Sequence, residues 1–388
     1  MEIYFDHAAT TPMVTPALEA LLQQATQLGN ASSLHSPGRL VRKAVEEARE
    51  VIADVINCAP NEIIFTGSGT EANNLAIKGF FWSRKSEKAE RNVIVTSAFE
   101  HHAILDPIEW LREHEGAEVV HIPITPAGFI DVDFLRNVVG GRRDEISLIA
   151  VMHSNNEIGT VQPIREVVEI SGDIPVHTDA VQSFGKVPFS FAELGVTSAT
   201  VSAHKIGGPL GIAALILGRG IDITPILHGG GQERDIRSGT INAPAIVSFA
   251  AAAEFSRSTL NERTAYVGAL KSELMEKALR EIPDLQFNGR SEISLPGIIN
   301  MTFPGTENEA LLLLLDSAGI AASTGSACSA GVHETSHVLL AMGLSERDAR
   351  SSLRFSLGSS NTSAEIDEFA RVIGTVVGRA RAASAKVQ

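Results

Sequence analysis

Residues 62–80 read EIIFTGSGTEANNLAIKGF. A short apolar run ending at Phe65 meets a glycine-bearing turn, and apolar residues at helical spacing follow it. That is the pattern of a strand, a tight turn and a helix. Similar strand-like runs recur in RNVIVTSAFEHHA (91–103), EISLIAVMHSNNEIG (145–159), IPVHTDAVQS (174–183) and VTSATVSAHKIGG (196–208). Each closes on polar residues, and helical segments separate several of them. An α/β domain with a mostly parallel sheet accounts for that rhythm. In such sheets a ligand sits beyond the carboxyl ends of the strands, where every one of these polar clusters falls.

Composition narrows the function classes. The chain has 388 residues, long enough for a large domain and a smaller one. A net charge of −14 argues against a nucleic-acid surface, which needs concentrated positive charge. The N-terminus, MEIYFDHAATTP, lacks the basic and apolar regions of a signal peptide, and no apolar run is long enough to span a membrane. The two cysteines, Cys58 and Cys328, lie far apart and suggest no disulfide framework, which points to a reducing cytoplasm. After about Ser256 the rhythm changes: a long amphipathic helix, TLNERTAYVGALKSELMEKALREI, leads into a stretch that reads as a smaller α+β domain.

Several residues carry chemistry. Lys205 follows a strand and precedes a Gly-Gly-Pro turn, a good position for a Schiff base with an aldehyde cofactor such as pyridoxal phosphate. Taken alone, a lysine in a turn is more often a surface residue. Asp179, at another strand end, could pair with a pyridine nitrogen or merely cap a helix, and Gln182 lies one turn on. Gly69 and Thr70 stand where a strand becomes a helix, so backbone N–H groups and the Thr70 hydroxyl can meet a phosphate. No Gly-Lys-Ser/Thr follows, so this is not a nucleotide-binding Walker loop. His101 could stack on a cofactor ring, and Asn155 and Asn156 can hydrogen-bond a phenolic oxygen or a carboxylate, although paired asparagines are also a turn signal. The glycine-rich HGGGQERDIRSGT (228–240) brings Arg237 and Thr240, apt for anion contact. Cys328 lies in STGSACSAG (323–331), whose small polar residues suit a mobile loop.

Together these stretches, with YFDHAATTP, NASSLHSPGR and SSLRFSLG, follow one another as they do in the cysteine desulfurases, and the chain resembles that family across nearly its whole length. The family belongs to the class V aminotransferases of pyridoxal-phosphate fold type I. The resemblance implies a large domain over 15–255 with a mostly parallel seven-stranded sheet, and a small α+β domain from 1–14 and 256–388. It implies that Lys205 is the Schiff-base lysine, Asp179 the pyridine partner and His101 the stacking residue. Gln182 and Asn156 would contact the ring oxygen. Gly69, Thr70, Ser202 and His204 would hold the phosphate, with Thr240 reaching in from the second subunit of a homodimer. Arg354 would grip the substrate carboxylate, and Asn156 would also meet substrate. Cys328 would take sulfur from L-cysteine as a persulfide, leaving L-alanine, and pass it to an acceptor protein for iron–sulfur cluster assembly or thiolation. No metal is implied. A selenocysteine lyase uses the same leaving chemistry, whereas an aminotransferase would have no use for Cys328. A non-catalytic sulfur-relay protein would be expected to lack Lys205, Asp179 or Cys328, and all three are present. Two departures stand out: His7 replaces the usual Asn, and TGSGTEA replaces the usual SGATE.

Overall fold

The computed structural model describes residues 2–289, 292–325 and 335–385. Its strands are β1 (Ile3–Tyr4), β2 (Ile63–Thr66), β3 (Val93–Ser97), β4 (Glu118–Ile122), β5 (Ile146–Ala150), β6 (Val176–Asp179), β7 (Ser198–Ser202), β8 (Ala213–Leu217), β9 (Gln286–Asn288), β10 (Ile298–Thr302), β11 (Ile320–Ala321) and β12 (Ser352–Ser356). Seven of them form one sheet in the order β2-β8-β7-β6-β5-β3-β4. The β4, β3, β5, β6 and β7 neighbours are parallel, while β8 runs against both β7 and β2. Reversing β8 leaves β2 aligned with the parallel set, so the carboxyl ends of six strands share one edge.

Both faces of this sheet are covered, which explains its near-continuous apolar strands. Along β3, Val93 and Val95 join one core while Ile94 joins the other; along β8, Ala214 and Ile216 part from Leu215 and Leu217 in the same way. The first core takes the buried stripe of the helix Ser36–Ile56 and the alanine-rich helix Ala243–Ser258. The second takes the helices Gly69–Glu87 and His102–Glu115, including Phe80, Phe81 and Leu111.

The rest of the chain builds a separate core. The antiparallel sheet β9-β10-β12 packs with the helices Leu260–Glu281, Asn308–Ser317 and Ser363–Ser384 around Met301, Phe303, Phe355 and Phe369. The N-terminus belongs with it: β1 pairs in parallel with β11, Phe5 is fully buried in this core, and Asp6 bridges to Ser356. Residues 6–14 then cross to the large sheet, where Val14 exchanges a backbone hydrogen bond with Gly207. Among the described residues no helix is long and apolar enough to cross a membrane.

One buried ion pair fixes a long connection on the large sheet. Both terminal nitrogens of Arg49, on the helix Ser36–Ile56, donate to Glu233 at 2.8 and 2.9 Å, and Phe65 N–H donates to the same carboxylate at 3.0 Å. Arg49 also lies over the Phe65 ring. Glu233 is 2% exposed, so replacing it by alanine strands a guanidinium inside the protein. Glu233→Ala should lower unfolding free energy by about 3–5 kcal/mol, while the double variant Arg49→Met/Glu233→Met should recover much of that loss. Urea unfolding of the three proteins checks it; equal losses in the single and double variants would sink the explanation.

Candidate active site

The strand edge opens on a cavity of about 590 Å³. Lys205 follows β7 on a single 3-10 turn, Ala203–Lys205, and stands in the cavity wall. Its Nζ donates to the carbonyls of Ala8 at 2.6 Å and Ala9 at 2.8 Å, from the segment that crosses from the small sheet. Burial, with a further push from Arg354, draws its ammonium down to about 8 against the pull of Asp179 and Asp6. An amine in that range deprotonates readily enough to serve as a nucleophile or a base.

Asp179 ends β6 and is nearly buried at 7% exposure. Val181 N–H donates to one carboxylate oxygen at 2.9 Å and Asn73 Nδ2 to the other at 2.7 Å. Asn73 Oδ1 in turn lies 3.1 Å from Nε2 of His177, whose Nδ1 is 2.8 Å from Ser198 Oγ. Burial holds His177 near 3 and therefore neutral, so the proton order is fixed: Ser198 hydroxyl to Nδ1, Nε2–H to Asn73, amide to Asp179. A carboxylate oriented this way through neutral groups keeps its own charge for whatever enters the cavity.

The helix Gly69–Glu87 begins at the cavity, capped by Ser68, whose side chain accepts from Glu71 N–H. Gly69 and Thr70 thus present its first turn to the cavity, beside Ser202 and His204. A Cβ on Gly69 would come 3.2 Å from Val181 Cγ2, tight enough to displace that wall. His204 shares a hydrogen bond with Thr10 Oγ1, and burial beside Lys205 brings it down to about 4. His101 caps the helix His102–Glu115: its Nδ1 accepts from Ala103 N–H at 3.0 Å, which leaves Nε2 to carry the proton. Burial lowers its pKa, opposed by Asp179.

Gln182 donates through Nε2 to Ala8 O and accepts from Lys186 Nζ. The two asparagines part company. Asn155 is buried and spends its side chain on Phe99 O and the N–H groups of Glu157 and Ile158, whereas Asn156 lines the cavity. Arg354, on β12 and 5% exposed, donates to Asp6 Oδ1 at 2.7 Å and to Asn156 O at 3.1 Å. Its Nε is buried without a partner among the described residues, an unused donor facing a site that can take an anion. Arg237 ion-pairs with Glu71 at 2.7 Å. Thr240 is exposed and lies outside the cavity lining of this chain. Cys328 falls outside the described residues. Cys58 is half-buried, and burial next to Glu62 pushes its thiol up to about 12.

Four contributors escaped the sequence reading: Asn73, His177, Asp6 and Glu157. Asn73 lies one turn from Gly69 on the same helix, and His177 shares a strand face with Asp179, so spacing carried a signal for both. Glu157 is buried, and its Oε2 accepts from Ser336 Oγ at 2.6 Å. Gly325 packs on the same carboxylate with φ +89°, where a Cβ would come 2.8 Å from Oε2. One large-domain side chain thereby touches both flanks of the segment that carries Cys328. Burial raises the Glu157 carboxyl to about 6, opposed by Arg354 and His102. Among the described residues no group of three His, Cys, Asp or Glu side chains is placed to hold a metal ion.

Comparison with known proteins agrees with this geometry. The aminotransferase class-V family model matches residues 3–369. An IscS-like cysteine desulfurase of Mycobacterium tuberculosis is 46% identical over 384 residues, covering 98% of each chain. The cysteine desulfurase IscS of Methanosarcina thermophila is 41% identical, covering 98% of this chain and 93% of its own. Among solved structures, a NifS-like protein superposes with a TM-score of 0.90 at 34% identity, covering 97% of this chain and 100% of that one. SspA in complex with cysteine superposes with a TM-score of 0.80 at 33% identity, covering 93% of this chain and 100% of that one. By its sequence and its fold alike, this chain belongs to the aminotransferase class-V family, in the branch of the IscS- and NifS-type cysteine desulfurases.

Proposed function

We propose that this chain is a cysteine desulfurase that takes sulfur from L-cysteine, releases L-alanine and holds the sulfur as a persulfide on Cys328. One observation carries the reading: both flanks of the Cys328 segment, Thr324–Gly325 and His337, line the same cavity as Lys205, Asp179 and Arg354. The family works with pyridoxal phosphate, and this cavity suits it, with a lowered amine, a fixed carboxylate and a close-packed glycine at a helix start. Bound there, the cofactor supplies an electron sink for charge developing at the substrate Cα.

The residue roles are those the family resemblance implies, and the contacts are compatible with them. Lys205 would hold the cofactor, and its Nζ would move the Cα proton. Asp179 would hold the ring nitrogen, His101 would stack on the ring, and Gln182 and Asn156 would serve its oxygen. Gln182 must donate there, because its carbonyl is already engaged by Lys186. Gly69, Thr70, Ser202 and His204 hold the phosphate. Arg354 takes the substrate carboxylate. The Cys328 thiolate attacks the substrate sulfur: the S–S bond forms as the C–S bond breaks, and the leaving electron pair ends as a C–H bond of alanine. With Nδ1 held by Ala103 N–H, His101 works through Nε2 alone, giving the proton that nitrogen carries to the new C–H bond and taking the substrate thiol proton in its place. Residues 15–255 thus act as the cofactor-binding unit, and 1–14 with 256–388 as the unit that brings the cysteine. The persulfide passes to an acceptor protein for iron–sulfur cluster assembly or thiolation in the cytoplasm.

Alanine and persulfide measured together after addition of L-cysteine test this reading. Cys328→Ser should keep bound cofactor and its absorbance change with cysteine, yet lose alanine formation by about 100-fold or more, because a hydroxyl is a poor nucleophile toward sulfur. Near-normal turnover by that variant removes Cys328 from the mechanism.

Glu157 is the positioning residue in this scheme. Glu157→Ala frees both flanks and should lower kcat for alanine roughly tenfold with cofactor content unchanged, and Glu157→Gln, which keeps an acceptor for Ser336, should recover most of it. Loss of cofactor and turnover in parallel would mean a merely structural role.

A homodimer completes the site. Thr240 is exposed here, and Leu210 lines the cavity yet is 72% exposed, so the mouth is open to a second copy. Hybrids of a Lys205→Ala chain with a Thr240→Ala chain should then retain about half of wild-type activity, since one site collects both defects and the other neither. Hybrids with half the activity of the Thr240→Ala protein would place Thr240 in its own chain's site.

A further inference from the structure

A second cavity, of about 380 Å³, meets the first only at Ala8 and Lys205. It lies between the crossing segment 7–16, the start of the helix Leu260–Glu281 and the turn after β12. Lys186 and Arg263 line it, joined by the hydroxyl-bearing Thr264, Ser356 and Ser360, and no carboxylate among the described residues does. Its remaining wall is largely apolar, with Val14, Phe255 and Val267 prominent.

The cations here are poorly compensated. Lys186 Nζ has one described partner, Gln182 Oε1 at 3.0 Å, which is neutral. Arg263 donates through one terminal nitrogen to the carbonyls of Gly185 and Ser256, while its Nε is buried without a partner. Burial, then Lys205, Arg354 and Arg263, bring Lys186 down to about 7, with no carboxylate acting against them. Burial and Lys186 also bring His7 down to about 4, so that ring is neutral and offsets nothing. The helix Thr15–Ala25 starts at the same wall; its N-cap, Val14, offers no side-chain acceptor, while Ala17 and Leu18 N–H donate to the Val14 carbonyl. Lys186 and Arg263 are part-buried, and a cation there loses hydration that an anionic partner would return. A tight apolar wall with a cationic end is the complement of a carboxylate on a short hydrocarbon body. A doubly charged inorganic anion would leave the apolar wall unused.

We infer that this second cavity binds a small aliphatic monocarboxylate, its oxygens on Lys186 and Arg263 and its hydrocarbon body against Val14, Phe255 and Val267. The pocket is separate from the substrate site and stands whether or not Cys328 is the sulfur acceptor.

Propionate is the probe. Titrated calorimetrically into the cofactor-loaded protein, at an ionic strength held constant with chloride, it should bind wild type saturably at one site per chain. Lys186→Met should weaken that binding roughly tenfold or more, the loss of a charge-assisted contact. Arg354→Lys, which keeps a cation for Asp6 and loses the guanidinium fork of the first cavity, should leave it in place. Lys186→Gln and the cavity-filling Thr264→Leu serve if the methionine variant does not fold, and both should weaken propionate as well. Binding no stronger than that of chloride, unchanged binding in the Lys186 variants, or loss in Arg354→Lys with retention in Lys186→Met would each overturn the inference. So would displacement of propionate by sulfate at lower concentration, which would mark an inorganic oxyanion site.

Discussion

The ion pair between Arg354 and Asp6 holds the two halves of the site in register. Arg354 comes from the small antiparallel sheet, Asp6 from the start of the crossing segment, and they meet at 2.7 Å almost out of water. The next carbonyls along that segment, Ala8 and Ala9, receive Lys205 and Gln182 from the large sheet. Four consecutive residues therefore connect an arginine, a lysine and a glutamine that belong to different sheets. Breaking the pair would leave a buried guanidinium and also release the backbone that positions the lysine.

Charge is used sparingly around this keystone. Asp179 is steered by an amide, an imidazole held neutral and a hydroxyl, not by a cation that would consume its charge. His101 and His204 are likewise depressed by burial. The cavity keeps its ionic character in Lys205, Asp179 and Arg354, and the groups around them supply direction.

Much of this was legible in the sequence because the large sheet repeats one device, an apolar strand closing on polar residues. Lys205, Asp179, His101 and the Gly69–Thr70 turn all stand just past strand ends or at helix starts, and local pattern is enough to find such places. The reversed β8 was not legible: its apolar run looks like its parallel neighbours, and only the tight connection after Lys205 turns it round. Contacts across sequence were hidden for the same reason. Asn73 meets His177 from 104 residues away, Glu157 meets Ser336 across 179, and Asp6 meets Arg354 across 348. Periodicity reports which face a residue takes, and says nothing of which other element will arrive there.

The half-buried Cys58 has a consequence for sulfur traffic. With its thiol pushed up to about 12 by burial, it carries little thiolate at neutral pH. The chain has no other thiol beside Cys328. If Cys328 carries the sulfur as proposed, Cys58 is a poor resolving partner for it, and discharge as an internal disulfide with release of sulfide is disfavoured. On that reading the sulfur would leave by an intermolecular encounter, and the loaded protein would act as a store of sulfane sulfur.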